Sequence, residues 1–332
     1  MRKVSQVSGV LLILGALAAP MTASAQSPVT WELIDEYPAT AIPGQADEYF
    51  AKMVADATRG AVVITPMPGA KSGLRSKDQV AAVKDGKFAM ANSFGGALSG
   101  ESPVFLLSSL PFVAASAEDS RKLYEKAKPL YDKLFTERGQ KLLFVTPWPP
   151  SGIWAAKPVD SVTALKALKI RTYDQTGTDM FNAAGATATV ISYADLTPKL
   201  QSGEINAVLS SGDGGAGRKL WEYLPNFSEI VYAVPLSFGT VSLDKWKALD
   251  APTRDAIERA GNDTTAHQWN LLQSRVAENY MRMRENGVTI DEHPPQPVMN
   301  ALRSAAKGTL ADWKTKAGPD AAKVLDDFLG QK

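Results

Sequence analysis

The sequence predicts an α/β protein of two lobes, and three observations predict it. Strand-like and helix-like segments alternate through most of the chain. A proline cluster at Pro147, Pro149 and Pro150 interrupts the alternation, after which the same grammar restarts. A helical stretch over 250–286 is longer than one small domain is wide. Alternating strands and helices imply mainly parallel sheets faced by helices, and 332 residues is a two-domain length.

The first segment is set aside from the fold. Arg2 and Lys3 precede an apolar run over 10–19, and Ala23-Ser24-Ala25 stands before Gln26. This is the layout of a cleaved signal peptide over 1–25. The apolar run falls well short of the roughly 20 residues needed to cross a bilayer. The mature chain is therefore expected to start at Gln26, free in the periplasm, with no stable membrane insertion.

The elements then follow in order. Residues 30–35 read as a strand and 46–58 as a helix, with Phe50, Met53, Val54 and Ala57 on one face. Gly60 closes that helix and 61–66 is the next strand. Ser76 with Gln79 three residues later has capping-box spacing, and its helix stops at Gly86. A strand over 88–92 follows. Ser116 opens a helix with Leu123, Ala127, Leu130 and Leu134 at helical spacing, ended by Gly139, and 140–146 returns as a strand. Beyond the prolines come strand 169–172, helix 176–184, strand 187–191, helix 194–202, strand 205–209 and strand 229–235. The long stretch has Pro252 in its first turn and Asn286-Gly287 as its stop. At 1.5 Å per residue it exceeds about 40 Å and would brace both lobes, unless Gly261 splits it. The expected division is 26–148 plus about 237–268 for one lobe, and 149–236 plus about 269–332 for the other. A hinge at 147–150 and a return crossing near 235–239 would join them.

Charge and composition exclude several functions. Without Arg2 and Lys3, the 36 basic side chains become 34 against 35 acidic ones, a net charge near −1 with no block of one sign. A nucleic-acid partner would need a basic face, so none is expected. The chain has no cysteine, and its two histidines are His267 and His293. Thiolate chemistry and histidine-rich metal sites are excluded, and no metal or cofactor is expected.

An internal echo points to a site. Residues 85–93 and 202–211 both run from helix through glycine to an apolar strand and a small polar end. Those ends are Asn92 and Ser93 in one half, Ser210 and Ser211 in the other. Ligands in open α/β sheets bind at the carboxyl ends of strands, so the four residues are candidates for a ligand held between the lobes.

Several motifs then carry a family resemblance. LKALKIR at 165–171, Gly185-Ala186, and Ala194-Asp195-Leu196 through Leu200-Gln201-Ser202-Gly203 resemble the DctP-type solute-binding subunits of TRAP transporters. Val80 to Gly86, Leu110-Pro111-Phe112 and the VSLDKWKAL run at 241–249 resemble further family segments in the same order. The resemblance implies a two-lobed periplasmic binding protein that closes on a small organic acid and docks on paired small and large membrane subunits. The family arginine that pairs with the ligand carboxylate falls on Arg171. The residue type suits that role, because a guanidinium stays charged and grips a carboxylate at two points.

Departures from the family pattern matter as well. The family asparagine that often touches ligand falls on Ser210, and the place of a second arginine falls on Trp154. Trp148, Trp154, Tyr173 and Phe238 are near the expected cleft. An acid with an apolar or aromatic part is therefore expected rather than a sugar acid.

Two motifs point elsewhere and fail on context. Residues 212–217 match GxGxxG after a strand, but the helix that should follow is a short turn over 218–223 halted by Pro225. No acidic residue ends the strand predicted about 20 residues on. The run is expected to be a loop. Ser210 and Ser211 lack the GxSxG elbow of a hydrolase, His267 lies inside the long helix, and His293 precedes two prolines. Asp195 and Glu204 do not form a convincing acid pair. No catalytic residue is assigned, although an exported enzyme and a bilobal protein serving a sensor or another transporter remain the alternatives.

Overall fold

A computed structural model describes Met1 and residues 27–331, so the predicted signal segment beyond Met1 lies outside the described residues. The first half runs β1 (Val29–Asp35), α1 (Ile42–Ala57), β2 (Val62–Met67), α2 (Ser76–Lys84), β3 (Met90–Phe94), α3 (Ala117–Glu137) and β4 (Gln140–Pro147). The second begins with β5 (Ser151–Ala155), α4 (Val162–Lys166), β6 (Lys169–Thr172), α5 (Gln175–Ala183), β7 (Thr187–Val190), α6 (Leu196–Gln201), β8 (Ala207–Ser211) and α7 (Gly212–Gly217). It ends with β9 (Asn226–Ser228), β10 (Leu236–Ser242), α8 (Leu243–Lys247), α9 (Ala251–Glu285), β11 (Thr289–Asp291), α10 (Gln296–Ala317) and α11 (Pro319–Leu329).

These strands form two sheets, one per lobe. The first has the order β2-β1-β3-β10-β4 and the second β11-β9-β5-β8-β6-β7. Each combines parallel pairs with one inserted antiparallel strand: β10 lies between β3 and β4, and β5 lies between β8 and β9. The chain passes between the sheets three times, at 148–150, at 229–235 and along α9. The first two crossings are laced together, with Trp148 N donating to Pro235 O at 2.9 Å, Ser151 N to Ala233 O at 2.9 Å and Tyr232 N to Ser151 O at 2.8 Å. The C-terminal helices bridge as well: α10 packs on α5, and α11 returns to α3.

Local chemistry explains where the elements differ from the sequence expectation. The first helix starts at Ile42 because Pro43 sits in its first turn, where a missing N–H costs nothing. Ser76 does not cap α2 with its hydroxyl. Its backbone N–H instead donates to Glu36 Oε2 at 2.8 Å, while the Gln79 side chain bonds the Ser93 hydroxyl at 2.7 Å. Residues 229–235 are irregular rather than a strand, since their backbone bonds are divided among Asp291, Ala114, Phe112 and the neighbouring crossing instead of one ladder. The 212–217 run is not a loop but a short helix whose N-cap is Ser211, with Gly214 N donating to Ser211 Oγ at 3.1 Å. Gly261 does not split α9, which is continuous over 35 residues. A Cβ at that glycine would lie 2.3 Å from Leu143 O. The residue is small because the helix crosses directly over the backbone of β4.

Candidate functional site

The site is built from strand ends that face the space between the sheets. Arg171 lies on β6 one residue beyond fully buried Ile170, and is itself 2% exposed. Two carbonyls hold its guanidinium: Nε donates to Ile191 O at 2.7 Å and Nη1 to Leu209 O at 3.2 Å. Among the described residues no carboxylate forms an ion pair with it. Burial pushes its pKa down, opposed by the nearby Tyr37 and Glu36.

Arg171 forms one wall of a cavity with about 290 Å³ of empty space. The first lobe contributes Tyr37, just past β1, and Phe94, at the end of β3. Trp148 and Pro235 come from the two crossings. The second lobe adds Ser151, Tyr173, Tyr193, Ser210, Ser211 and Gly214. The aromatic rings meet across the gap: Tyr37 lies 4.5 Å from both Trp148 and Tyr193, and Phe94 lies 5.1 Å from Tyr173. Their polar tips are anchored, with Tyr173 Oη donating to Ser151 Oγ at 3.2 Å, Tyr193 Oη to Gly214 O at 3.0 Å and Trp148 Nε1 to Ser237 Oγ at 2.9 Å. Burial raises the pKa of Tyr37, Tyr173 and Tyr193, so all three stay neutral. The wall therefore carries one formal charge, the guanidinium.

An outer chamber shares Tyr37, Arg171, Tyr173 and Tyr193 and leads outward past Lys77 and Asp174. Asp174 caps α5, accepting from Gly177 N at 2.9 Å and Thr176 Oγ1 at 2.9 Å, and burial raises its pKa to about 6. The larger groove between α3, β4 and α9 has a different character. Its charges satisfy one another, as in the 2.5 Å Lys141–Glu258 pair.

Five of the residues singled out from sequence meet at the cavity: Trp148, Arg171, Tyr173, Ser210 and Ser211. The other four lie behind it. Asn92 donates to Asp47 Oδ1 at 2.7 Å, and Ser93 bonds Gln79. Phe238 packs among Phe105, Tyr131 and Phe135. Trp154 is fully buried under α7, donating to Ser211 O at 3.2 Å. It also explains the glycine-rich run, because a Cβ on Gly215 would lie 2.1 Å from its ring. The glycines of 212–217 thus serve close packing. Tyr37, Phe94, Ser151, Tyr193, Gly214 and Pro235 were not singled out from sequence. Tyr37, Phe94 and Tyr193 follow or end parallel strands, so the rule of strand carboxyl ends applied to every strand would have found them.

Fold and site together define a two-lobed solute-binding protein with its cavity between the lobes. Residues 35–315 match DctP, bacterial extracellular solute-binding protein family 7, and the chain belongs to that family. A solute-binding protein of Chromohalobacter salexigens is 24% identical over 295 residues, covering 87% of this chain and 85% of that protein. Two solved structures from Bordetella pertussis, DctP7 and DctP6, are described as extracytoplasmic solute receptors binding pyroglutamic acid. DctP7 is 27% identical with a TM-score of 0.87, covering 91% of this chain and 99% of its own. DctP6 is 28% identical with a TM-score of 0.86, covering 91% of this chain and all of its own.

Proposed function

We propose that this protein captures a small monocarboxylate by lobe closure, with Arg171 as the carboxylate anchor, and delivers it to TRAP membrane subunits from the periplasm. The observation that carries this reading is a guanidinium only 2% exposed with no ion-pair partner among the described residues. An unpaired buried charge costs several kcal/mol, and arginine cannot escape the cost by losing its proton. An anion that enters the cavity offsets it.

The walls narrow the choice of anion. One cation and neutral aromatic faces favour one carboxylate on a compact, largely apolar body, with Ser210 and Ser151 hydroxyls at hand for a single polar group. The walls close tightly on the space between them, which favours a compact ligand over a large one. A five-membered ring acid of the kind bound by the two Bordetella receptors fits these demands, and we take pyroglutamate as the first ligand to try. The two crossings at 148–150 and 229–235 serve as the hinge. Native mass spectrometry of freshly purified protein, followed by calorimetry, tests the reading. Pyroglutamate should bind at least about tenfold more tightly than glucuronate or a dicarboxylate of similar size. Equal or preferential binding of a dicarboxylate sinks the monocarboxylate assignment.

A further inference from the structure

Two carboxylates behind the inner cavity, Glu36 at the wall of the outer chamber and Asp213 in α7, cross the gap between the lobes in opposite directions. Glu36 follows β1 in the first lobe and is 2% exposed. Its Oε2 accepts from Ser76 N at 2.8 Å in its own lobe, and its Oε1 accepts from Ala194 N at 2.9 Å in the other. Asp213, in α7 of the second lobe and 1% exposed, does the reverse. Its Oδ2 accepts from Ile42 N at 2.9 Å, in the first turn of α1. That turn has no cap of its own, because Ala41 at its N-cap has no side-chain oxygen. The Oδ1 of Asp213 pairs with Arg275, which also donates to Thr40 O in the first lobe.

Each carboxylate is tied in sequence to a cavity wall. Glu36 precedes Tyr37, and its acceptor bond reaches the residue after Tyr193. The rings of those two tyrosines meet across the gap, tilted by 36° with centroids 4.5 Å apart. Asp213 precedes Gly214, whose carbonyl holds the Tyr193 hydroxyl. Charged acceptors of backbone N–H groups make hydrogen bonds stronger than neutral ones, and both carboxylates do so from buried positions. We propose that Glu36 and Asp213 are reciprocal staples of the closed state, positioning residues that set how long a ligand is held without touching it. Separation of the lobes would break the Ala194 and Ile42 bonds and leave the Ser76 bond intact. The inference builds on the binding reading, since only a ligand-holding closed state has a residence time to set.

Glu36→Gln and Asp213→Asn test it with pyroglutamate as the probe. Each amide keeps the shape but turns one acceptor oxygen into a donor that faces another donor. Stopped-flow and calorimetry should show dissociation about 10- to 100-fold faster in each variant, with association within about threefold of wild type. The preference for pyroglutamate over cyclopentanecarboxylate should be unchanged, because neither residue lines the inner cavity. Dissociation within threefold of wild type overturns the proposal. So does a loss of affinity carried by slower association and matched by a fall in the ligand-free melting temperature, which would mark a plain folding role. If wild type does not bind pyroglutamate, the ligand assignment fails, and hydrogen exchange still decides the staples. Protection of the Ala194 and Ile42 amides that is lost in Glu36→Gln and Asp213→Asn respectively supports them. Unchanged exchange overturns them.

Discussion

Among its buried charges the first lobe holds an interacting pair of acids, Asp35 at the end of β1 and Asp47 in α1, whereas the second lobe holds a base, Arg171, near the end of β6. All three are at most 2% exposed. The acids have only neutral donors: Tyr37 N gives a 2.9 Å bond to Asp35 Oδ1, and Asn92 Nδ2 a 2.7 Å bond to Asp47 Oδ1. Burial raises the pKa of Asp35 to about 8 and that of Asp47 well above its ordinary value. The pair therefore sheds its charge by keeping protons. Arg171 has no such route, because a guanidinium does not deprotonate in proteins. A buried acid pair can thus be purely structural, while a buried arginine with no ion-pair partner among the described residues supports the proposed anion.

The largest expected effect breaks the second half of that contrast. Arg171→Ala should weaken binding of the carboxylate by roughly 30- to several-thousand-fold, because the ligand charge would be buried without its partner. The ligand-free melting temperature should stay within a few degrees, since the change also removes an unpaired charge. Calorimetry giving an affinity within about threefold of wild type would end the anchor assignment. Arg171→Lys should recover only part of the loss, as one ammonium cannot reproduce a two-point grip.

The acid pair is tested by pH. A carboxyl whose folded pKa lies above its unfolded value favours the folded state fully at pH values below the unfolded pKa. That advantage disappears as pH rises through the folded pKa. Between about pH 4 and pH 8 the wild-type protein should therefore lose stability, at up to about 1.4 kcal/mol per pH unit for one such group. Asp47→Asn removes one of the two reluctant ionisations and should flatten the slope seen in thermal melts. Identical slopes would show that the pair does not hold its protons as described. The smallest effect is expected from Tyr193→Phe, which loses the hydroxyl bond to Gly214 but keeps the ring contact with Tyr37. About 0.5–1.5 kcal/mol is at stake, and a titration should show ligand affinity lowered by no more than about tenfold.

The contrast also marks what a sequence discloses. Arg171 was legible because its strand, its neighbours and its residue type all pointed the same way. Much of the strand and helix order was legible from periodicity, and the first crossing between the sheets from three prolines, but the inserted strands β5 and β10 were not read and 229–235 is irregular. Trp154 and Tyr37 show the limit. Both are aromatic residues beside a strand end, yet α7 covers one and the other faces the cavity. Periodicity reports that a side chain is buried, not whether the space above it is filled. The same limit applies to Gly212 to Gly217, where spacing suggested a loop and the requirement was close packing, with Gly215 making room for the Trp154 ring. Glu36 and Asp213 were invisible for another reason: their partners are backbone N–H groups 40 or more residues away in sequence.

Helix α9 lies over the backbone of β4 at Gly261 and reaches Asp213 through Arg275, so one unbroken rod of about 52 Å is fastened to both lobes. The paired connectors at 148–150 and 229–235 would let the lobes turn like a hinged door, but this rod resists like a leaf spring fixed at both ends. Any opening must flex it or pull one fastening free. The width of the mouth, and with it the size of solute that can enter, would then be governed by the stiffness of a helix that lines no part of the cavity.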